Sequence, residues 1–164
     1  MIDISKNIII NAQQSIVWAF ISDLPVLLTV NRFRNKVCIP SNYNLNDFVT
    51  FKITNNFGLG NIDMSAKVVN SKAPVLIVIK EWTDIPNKIS YQHETEYFIN
   101  CLGDKSSLII NQRGSFGTKV QDISFKPIVS GIVQDELFRI KKYIESSETS
   151  SDHSHKNVLR PIKI

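Results

Sequence analysis

Ile89-Ser90-Tyr91-Gln92-His93-Glu94-Thr95-Glu96-Tyr97-Phe98-Ile99-Asn100-Cys101 is the stretch on which the fold turns. Successive side chains of an extended strand point to opposite faces. Ile89, Tyr91, His93, Thr95, Tyr97 and Ile99 therefore share one face, and Ser90, Gln92, Glu94, Glu96, Phe98 and Asn100 the other. The first set is the more apolar and holds no carboxylate, so it is expected to face the interior. Working outward, Gly103-Asp104-Lys105 is a hairpin-type turn into a strand at 108–116. Upstream, residues 84–88 turn the chain out of a strand at 75–82. Residues 71–74 turn it out of a segment in which Ile62, Met64, Ala66 and Val68 alternate with Asp63, Ser65 and Lys67. Phe57-Gly58-Leu59-Gly60 sets that segment apart from another at 48–55. Five consecutive strands predict an antiparallel meander, and the β-branched run at 3–10 adds a sixth strand.

Between the first strand and the meander the periodicity changes. Ile16, Val17, Phe20, Ile21 and Leu24 recur at helical spacing, which predicts a helix over about 12–22. Asn11 and Gln14 have the spacing of a capping box, and Pro25 closes the segment. Val26, Leu27, Leu28 and Val30 fit a second short helix before the basic stretch Asn31-Arg32-Phe33-Arg34-Asn35-Lys36. The last helix is expected over about 127–146, with Pro127 in its first turn and Val129, Ile132, Val133, Leu137, Ile140 and Ile144 on one face. The Ser-rich residues 146–155 cannot bury enough apolar surface to offset their ordering entropy, so 146–164 reads as a disordered tail.

Composition narrows the class. The chain has 164 residues, 43% hydrophobic and 21% charged, which fits one globular domain with a sizeable core. The formal net charge of +4 is too modest and too dispersed to point to nucleic acid. Cys38 and Cys101 make neither a CxxC pair nor a zinc spacing, and the apolar runs fall far short of a membrane span. A soluble, cytoplasmic protein without membrane insertion is expected.

The order strand, helix, short helix, five antiparallel strands, long C-terminal helix resembles the helix-grip superfamily. This comprises the START-related, birch-pollen-allergen-like and polyketide cyclase/dehydrase-like proteins (SRPBCC). Four segments carry the resemblance: the apolar strand, polar cap, Val17-Trp18 and Asp23 of residues 8–24; the glycine turn Phe57–Gly60; the passage Trp82-Thr83-Asp84-Ile85-Pro86-Asn87-Lys88-Ile89; and the amphipathic helix ending near Glu145. The resemblance spans residues 3–145. It implies an α+β fold in which a curved antiparallel sheet wraps a long helix around an internal cavity. It also implies that residues 1–145 form one domain binding a small, mostly hydrophobic molecule.

Several motifs dissolve on inspection. His93-Glu94-Thr95-Glu96-Tyr97 opens like a zinc-protease HExxH, but position 97 is Tyr and the segment is extended. Gly58 and Gly60 lack the third glycine and the strand-to-helix setting of a dinucleotide loop. His153 and His155 alone make a weak metal site, and no metal is expected.

Two phenols and an imidazole in line along a wall are a different matter. Tyr91 and Tyr97 could hold a carbonyl or phenolate oxygen while His93 moves a proton, and these three are the candidate catalytic residues. The plainer reading makes them sheet residues bonded to their neighbours. In the strand 108–116, Leu108, Ile110 and Gln112 alternate with Ile109, Asn111 and Arg113, and apolar content does not decide the inner face. Were Asn111 and Arg113 inside, the Arg would call for an anionic or enolate partner; otherwise Arg113 is a surface charge. Glu81, if inward, would have a raised pKa and could act as a base. Phe33, Tyr43, Phe51 and Trp82 are candidate walls of the binding site, or simply core. Arg32, Arg34 and Lys36 flank Phe33 in a segment similar to the family's lid. They read as a solvated basic loop or as a guide for an acidic ligand, for the phosphopantetheine arm of an acyl carrier protein, or for RNA.

Three functions follow. The first is a cyclase/aromatase/dehydratase-type enzyme that needs no cofactor and acts on a polyketide-like intermediate. The second is a carrier or sensor of a lipid, quinone or pigment. The third is a protein- or RNA-interaction module. The Tyr91–His93–Tyr97 line is more polar than a pure carrier requires, which favours the first.

Overall fold

A computed structural model of the chain describes residues 1–45, 49–56, 60–83 and 91–154, with side chains as far as Ser147. The described strands are β1 (Ile2–Ile10), β2 (Arg34–Cys38), β3 (Thr50–Asn56), β4 (Asn61–Lys72), β5 (Leu76–Trp82), β6 (Gln92–Leu102) and β7 (Lys105–Ser115). The helices are α1 (Gln14–Ser22), α2 (Leu24–Thr29) and α3 (Lys119–Ser154). One seven-stranded sheet has the order β1-β7-β6-β5-β4-β3-β2, with every neighbour antiparallel. The expected meander is β3 to β7. β1 pairs with β7, so α1 and α2 carry the chain across to the far edge.

Six strands were expected, and the additional one is β2. Its residues read as a basic loop by composition, yet they pair with β3 through an irregularity between Arg34 and Lys36. Gly103 closes the β6–β7 hairpin at φ +76°, a backbone region that favours glycine. The glycine turn at 57–59 and the passage at 84–90 lie outside the described residues.

The helix ends depart from the sequence reading in three places. Asn11 is not the cap of α1. Gln13 is, without a side-chain bond, while the Asn11 N–H donates to Glu145 Oε1 at 2.8 Å. Pro25 begins α2 rather than merely ending α1: it sits in the first turn of α2, whose cap Asp23 accepts from the Val26 N–H through Oδ1 at 3.2 Å. α3 starts about two turns before Pro127. Thr118 Oγ1 accepts from the Gln121 N–H there, and Asp122 accepts from Phe116 N and Ser115 Oγ. Pro127 lacks the N–H that would bond the Ile123 carbonyl, but both residues are exposed, so the missing bond is not a buried loss. At the other end the helical backbone continues through 146–154, the start of the stretch read as a tail. Once the helix is nucleated on the sheet, each further residue adds a bond at low cost. Residues 155–164 lie outside the described set.

The face predicted for α3 is the buried one: Val129, Val133, Leu137, Ile140 and Ile144 have at most 4% exposure, with Ile132 half-buried. Each such side chain contributes about 1.5–3 kcal/mol relative to exposure. They pack along β1 and β7. Lys141 Nζ donates to the Ile9 carbonyl at 2.8 Å, fastening the helix to the end of β1. Val17 and Ile21 of α1 and Leu24, Leu27 and Leu28 of α2 complete the core around the first crossover.

Candidate functional site

The register assembles the site. Phe51, Ala66, Glu81, His93, Gly114 and Ile2 face one another across β3, β4, β5, β6, β7 and β1, one row on one face of the sheet. Further along β6 stand Thr95, opposite Gln112, and Tyr97, opposite Ile110. This is the face that α3 covers, because Tyr97 reaches Glu136 of α3. Tyr91, His93, Thr95, Tyr97 and Ile99 are all buried, as the alternation predicted, while Ile89 lies outside the described residues.

His93 rests in a stack. Its ring lies 4.5 Å from that of Tyr91 at 8°, Tyr91 lies 4.8 Å from Phe116, and Phe116 lies 4.6 Å from Phe125 of α3. Gly114 makes the room: a Cβ there would stand 2.5 Å from His93 Cβ and 2.7 Å from Tyr91 Cε2. His93 Nδ1 bonds the Tyr91 carbonyl at 2.8 Å. A carbonyl only accepts, so Nδ1 carries the hydrogen and Nε2 is the atom that takes or gives a proton. Nε2 faces Glu81 Oε1 at 3.5 Å.

Glu81 is in turn paired with Arg34, which the bend in β2 directs inward. Both side chains are buried, at 1% and 4% exposure. Burial alone would raise the Glu81 pKa, but the Arg34 charge outweighs it and, with His93 beside it, holds the carboxyl at about 2. The expectation of a raised, basic Glu81 is thus corrected: it is a fixed anion. For Arg34, burial works against the charge, but Glu81, Tyr97 and Glu136 outweigh it and hold the guanidinium ionised. Tyr97 donates to Glu136 Oε1 at 2.6 Å, and Asn31 Nδ2 donates to Glu136 Oε2 at 3.0 Å. Burial first, then the Glu136 charge, pushes the Tyr97 hydroxyl well above the ordinary phenol range. Tyr91 is pushed up by burial and by the charges of Asp122, Asp3 and Glu81. His93, Glu81, Arg34, Tyr97 and Glu136 thus form one buried polar chain that ends at half-buried Asn31.

The other candidates divide. Phe51 belongs to the row of the site and is buried in the core. Trp82 does not belong to it: alternation puts it on the opposite face from Glu81, paired with Ser65. Asn111 and Arg113 are likewise on the other face of β7. Asn111 donates to Glu96 Oε1 at 2.6 Å, and Arg113, largely exposed, lies 3.4 Å from Asp3. Apolar Leu108 and Ile110 take the inner positions because α3 lies there, and Gln112 goes in with them. Tyr43 does not line the site but pins the α1–α2 junction: its hydroxyl accepts from the Leu24 N–H at 3.1 Å and donates to the Ser22 carbonyl at 3.4 Å. Phe33, half-buried, leads into β2 and is held through its backbone by Asn31 and Asn56.

Sequence reasoning missed Arg34 and Glu136. Arg34 sat between other basic residues, and nothing local marked it as interior. Glu136 did carry a signal: it lies three residues after Val133 and four before Ile140, inside the apolar stripe of α3. A carboxylate in that stripe needs a buried partner. Among the described residues, no group of three His, Cys, Asp or Glu side chains is placed to hold a metal ion.

No protein-family model and no curated protein matches the sequence. The fold, by contrast, has many solved counterparts. The chain superposes on a START superfamily protein from Mycobacterium smegmatis with a TM-score of 0.72 at 14% identity, over 88% of this chain and 97% of that one. It is similar to the Zhui aromatase/cyclase from a Streptomyces species, with a TM-score of 0.66 at 11% identity over 87% and 93%. It also matches part of the di-domain ARO/CYC StfQ from the steffimycin biosynthetic pathway, with a TM-score of 0.71 at 10% identity, covering 90% of this chain and 52% of that one.

Proposed function

We propose that this chain, which has the helix-grip fold, binds a small, mostly apolar molecule between the sheet and α3 and catalyses proton transfer at that molecule's oxygenated end, in the manner of a cyclase or dehydratase. One observation carries the reading: the buried line Arg34–Glu81–His93, in which Arg34 Nη1 and Glu81 Oε2 have no hydrogen-bond partner among the described residues. His93 Nε2 removes a proton from a carbon next to a carbonyl, and Glu81 stabilises the imidazolium so formed. Arg34 Nη1 bonds the oxygen on which negative charge collects. The carbanion closes on a second carbonyl of the same molecule and the imidazolium protonates the alkoxide so formed; neutral His93 then takes the second proton from the same carbon and passes it to the departing hydroxyl, so that one water leaves. Holding both carbonyls within one site supplies much of the acceleration.

The test uses a poly-β-ketone thioester probe followed by mass spectrometry. The expected product is lighter by one water, and His93→Ala forms it roughly 100-fold or more slowly. Equal rates in the two proteins sink the acid–base role. A carrier is the second reading, favoured by the engagement of Tyr97 with Glu136 rather than with a ligand. Under it, His93→Phe keeps or tightens binding and the probe is returned unchanged. An acyl carrier protein as donor rests only on Arg32 and Lys36, because Arg34 is buried, and Arg32 already lies 3.4 Å from Asp135. No helix among the described residues is long and apolar enough to cross a membrane.

A further inference from the structure

Arg34 and Glu81 hold one another through a single pair of atoms. Nη2 of Arg34 meets Oε1 of Glu81, whereas Nη1 and Oε2 are buried and find no hydrogen-bond partner among the described residues. Each unused atom hangs on the same small planar group as a used one, so an unmade donor and an unmade acceptor both belong to this one ion pair. Resting on the reading that the ligand's oxygenated end docks here, we infer that Arg34 and Glu81 select a neutral group offering an acceptor and a donor on neighbouring atoms, such as a carboxamide, a lactam or a hydroxy-enone, and turn away carboxylates.

The alternatives fail one at a time. A carboxylate satisfies Nη1 but sets its second oxygen against Oε2, two acceptors with no proton between them. Glu81 does not relieve this by protonating, because the adjacent Arg34 guanidinium keeps it ionised. Glu136, a further buried carboxylate on α3, adds negative potential, and both of its oxygens are taken by Tyr97 and Asn31. A ketone serves Nη1 alone, leaving Oε2 unmade. An ammonium serves Oε2 but meets the Arg34 charge. A neutral group that both accepts and donates satisfies both atoms, and unmade buried bonds are what make such sites selective.

The test is a titration of the full chain at pH 7 with naphthamide, naphthoate and methyl naphthyl ketone, which share one apolar body and differ in the end group. Binding is read by NMR shifts and calorimetry. Naphthamide is expected to bind roughly tenfold or more tightly than naphthoate, with the ketone weaker than the amide. In Glu81→Gln the uncancelled Arg34 charge is expected to reverse the order, so that naphthoate binds more tightly. If naphthoate binds the native chain as tightly as the amide, or if no probe binds, the inference is overturned. Should Glu81→Gln not fold, the three-probe order on the native chain decides alone. Turnover reads His93, whereas the affinity ratio reads Arg34 and Glu81. An inactive chain that prefers the amide refutes only the acid–base reading, and an active chain indifferent to amide and acid refutes only this one.

Discussion

Arg34→Met is the substitution that asks most of the site. The Glu81 carboxyl is held at about 2 against an ordinary 4.5, even though burial alone drives it upward. At about 1.4 kcal/mol for each tenfold change in proton affinity, that gap corresponds to about 3 kcal/mol of stability at neutral pH. Mutational experience with buried ion pairs gives about 3–5 kcal/mol when one partner is removed, because the other charge is stranded. The two routes agree, so Arg34→Met is expected to cost about 3–5 kcal/mol. Glu81→Leu strands Arg34 instead and costs the same or somewhat less, since Glu136 remains close. The double variant leaves neither charge alone and fills similar volume with apolar atoms. It is therefore expected to be more stable than Arg34→Met, with a coupling energy of about 3 kcal/mol.

Urea unfolding at pH 7, followed by far-UV circular dichroism, measures all four corners of this cycle. The pH dependence adds a sign. A carboxyl depressed in the folded state contributes stability that is complete above 4.5 and is lost as pH falls toward about 2. Without Arg34, burial governs and raises the carboxyl, so its contribution should invert and grow as pH falls. Other carboxylates titrate in both proteins, so the difference between them is the quantity to plot. Additive single losses, or a flat difference between pH 5 and 2, would refute the argument that the pair is one buried unit.

Three further outcomes are expected. Gly114→Ala should lower stability by about 1–3 kcal/mol and weaken the near-UV signal of Tyr91, since the new methyl group meets the Gln92 carbonyl, His93 Cβ and the Tyr91 ring; thermal melts and near-UV spectra check both. Tyr97→Phe leaves Glu136 Oε1 without its donor and should cost about 1–3 kcal/mol, measured by urea unfolding. Arg113→Ala, on the outer face and largely exposed, should change stability by less than about 0.5 kcal/mol and leave naphthamide affinity untouched; a measurable loss of affinity would return it to the site.

Period-two patterning made the sheet legible. β3 to β7 fall where alternation places them, and the inner face of β6 followed from the absence of carboxylates among Tyr91, His93, Thr95 and Tyr97. The same rule was silent for β7, where both faces offered aliphatics, and α3 decided what the pattern could not. It failed for β2. A short edge strand with one partner has no hydrophobic alternation to show, and its exposed Asn35 and Lys36 look like a loop. Helix interiors were better predicted than their ends, because the caps depend on distant partners: Asn11 turns to Glu145, and Asp122 draws the start of α3 to Phe116.

The charged half of the site was hidden for a related reason. Arg34 and Glu81 are 47 residues apart, Tyr97 and Glu136 are 39 apart, and only the folded register makes either pair. Arg34 lies on the edge strand and Glu81 on β5, with β3 and β4 between them. Three strand spacings amount to roughly 14 Å in a flat sheet. The contact therefore depends on the sheet curving so that its edge folds over its own inner face, and on the irregularity in β2 that aims Arg34 across it. Curvature that a composition-based reading treats as scaffolding is thus a condition for the proposed chemistry. The ion pair bridges the edge of the sheet to the strand beside His93, so a change that relaxes the curve loosens the edge strand and removes the counter-charge of Glu81 together. Stability and site electrostatics should accordingly fail in concert on this side of the sheet, whereas the apolar side chains Leu108, Ile110, Val133 and Leu137 carry the fold without entering the proposed chemistry.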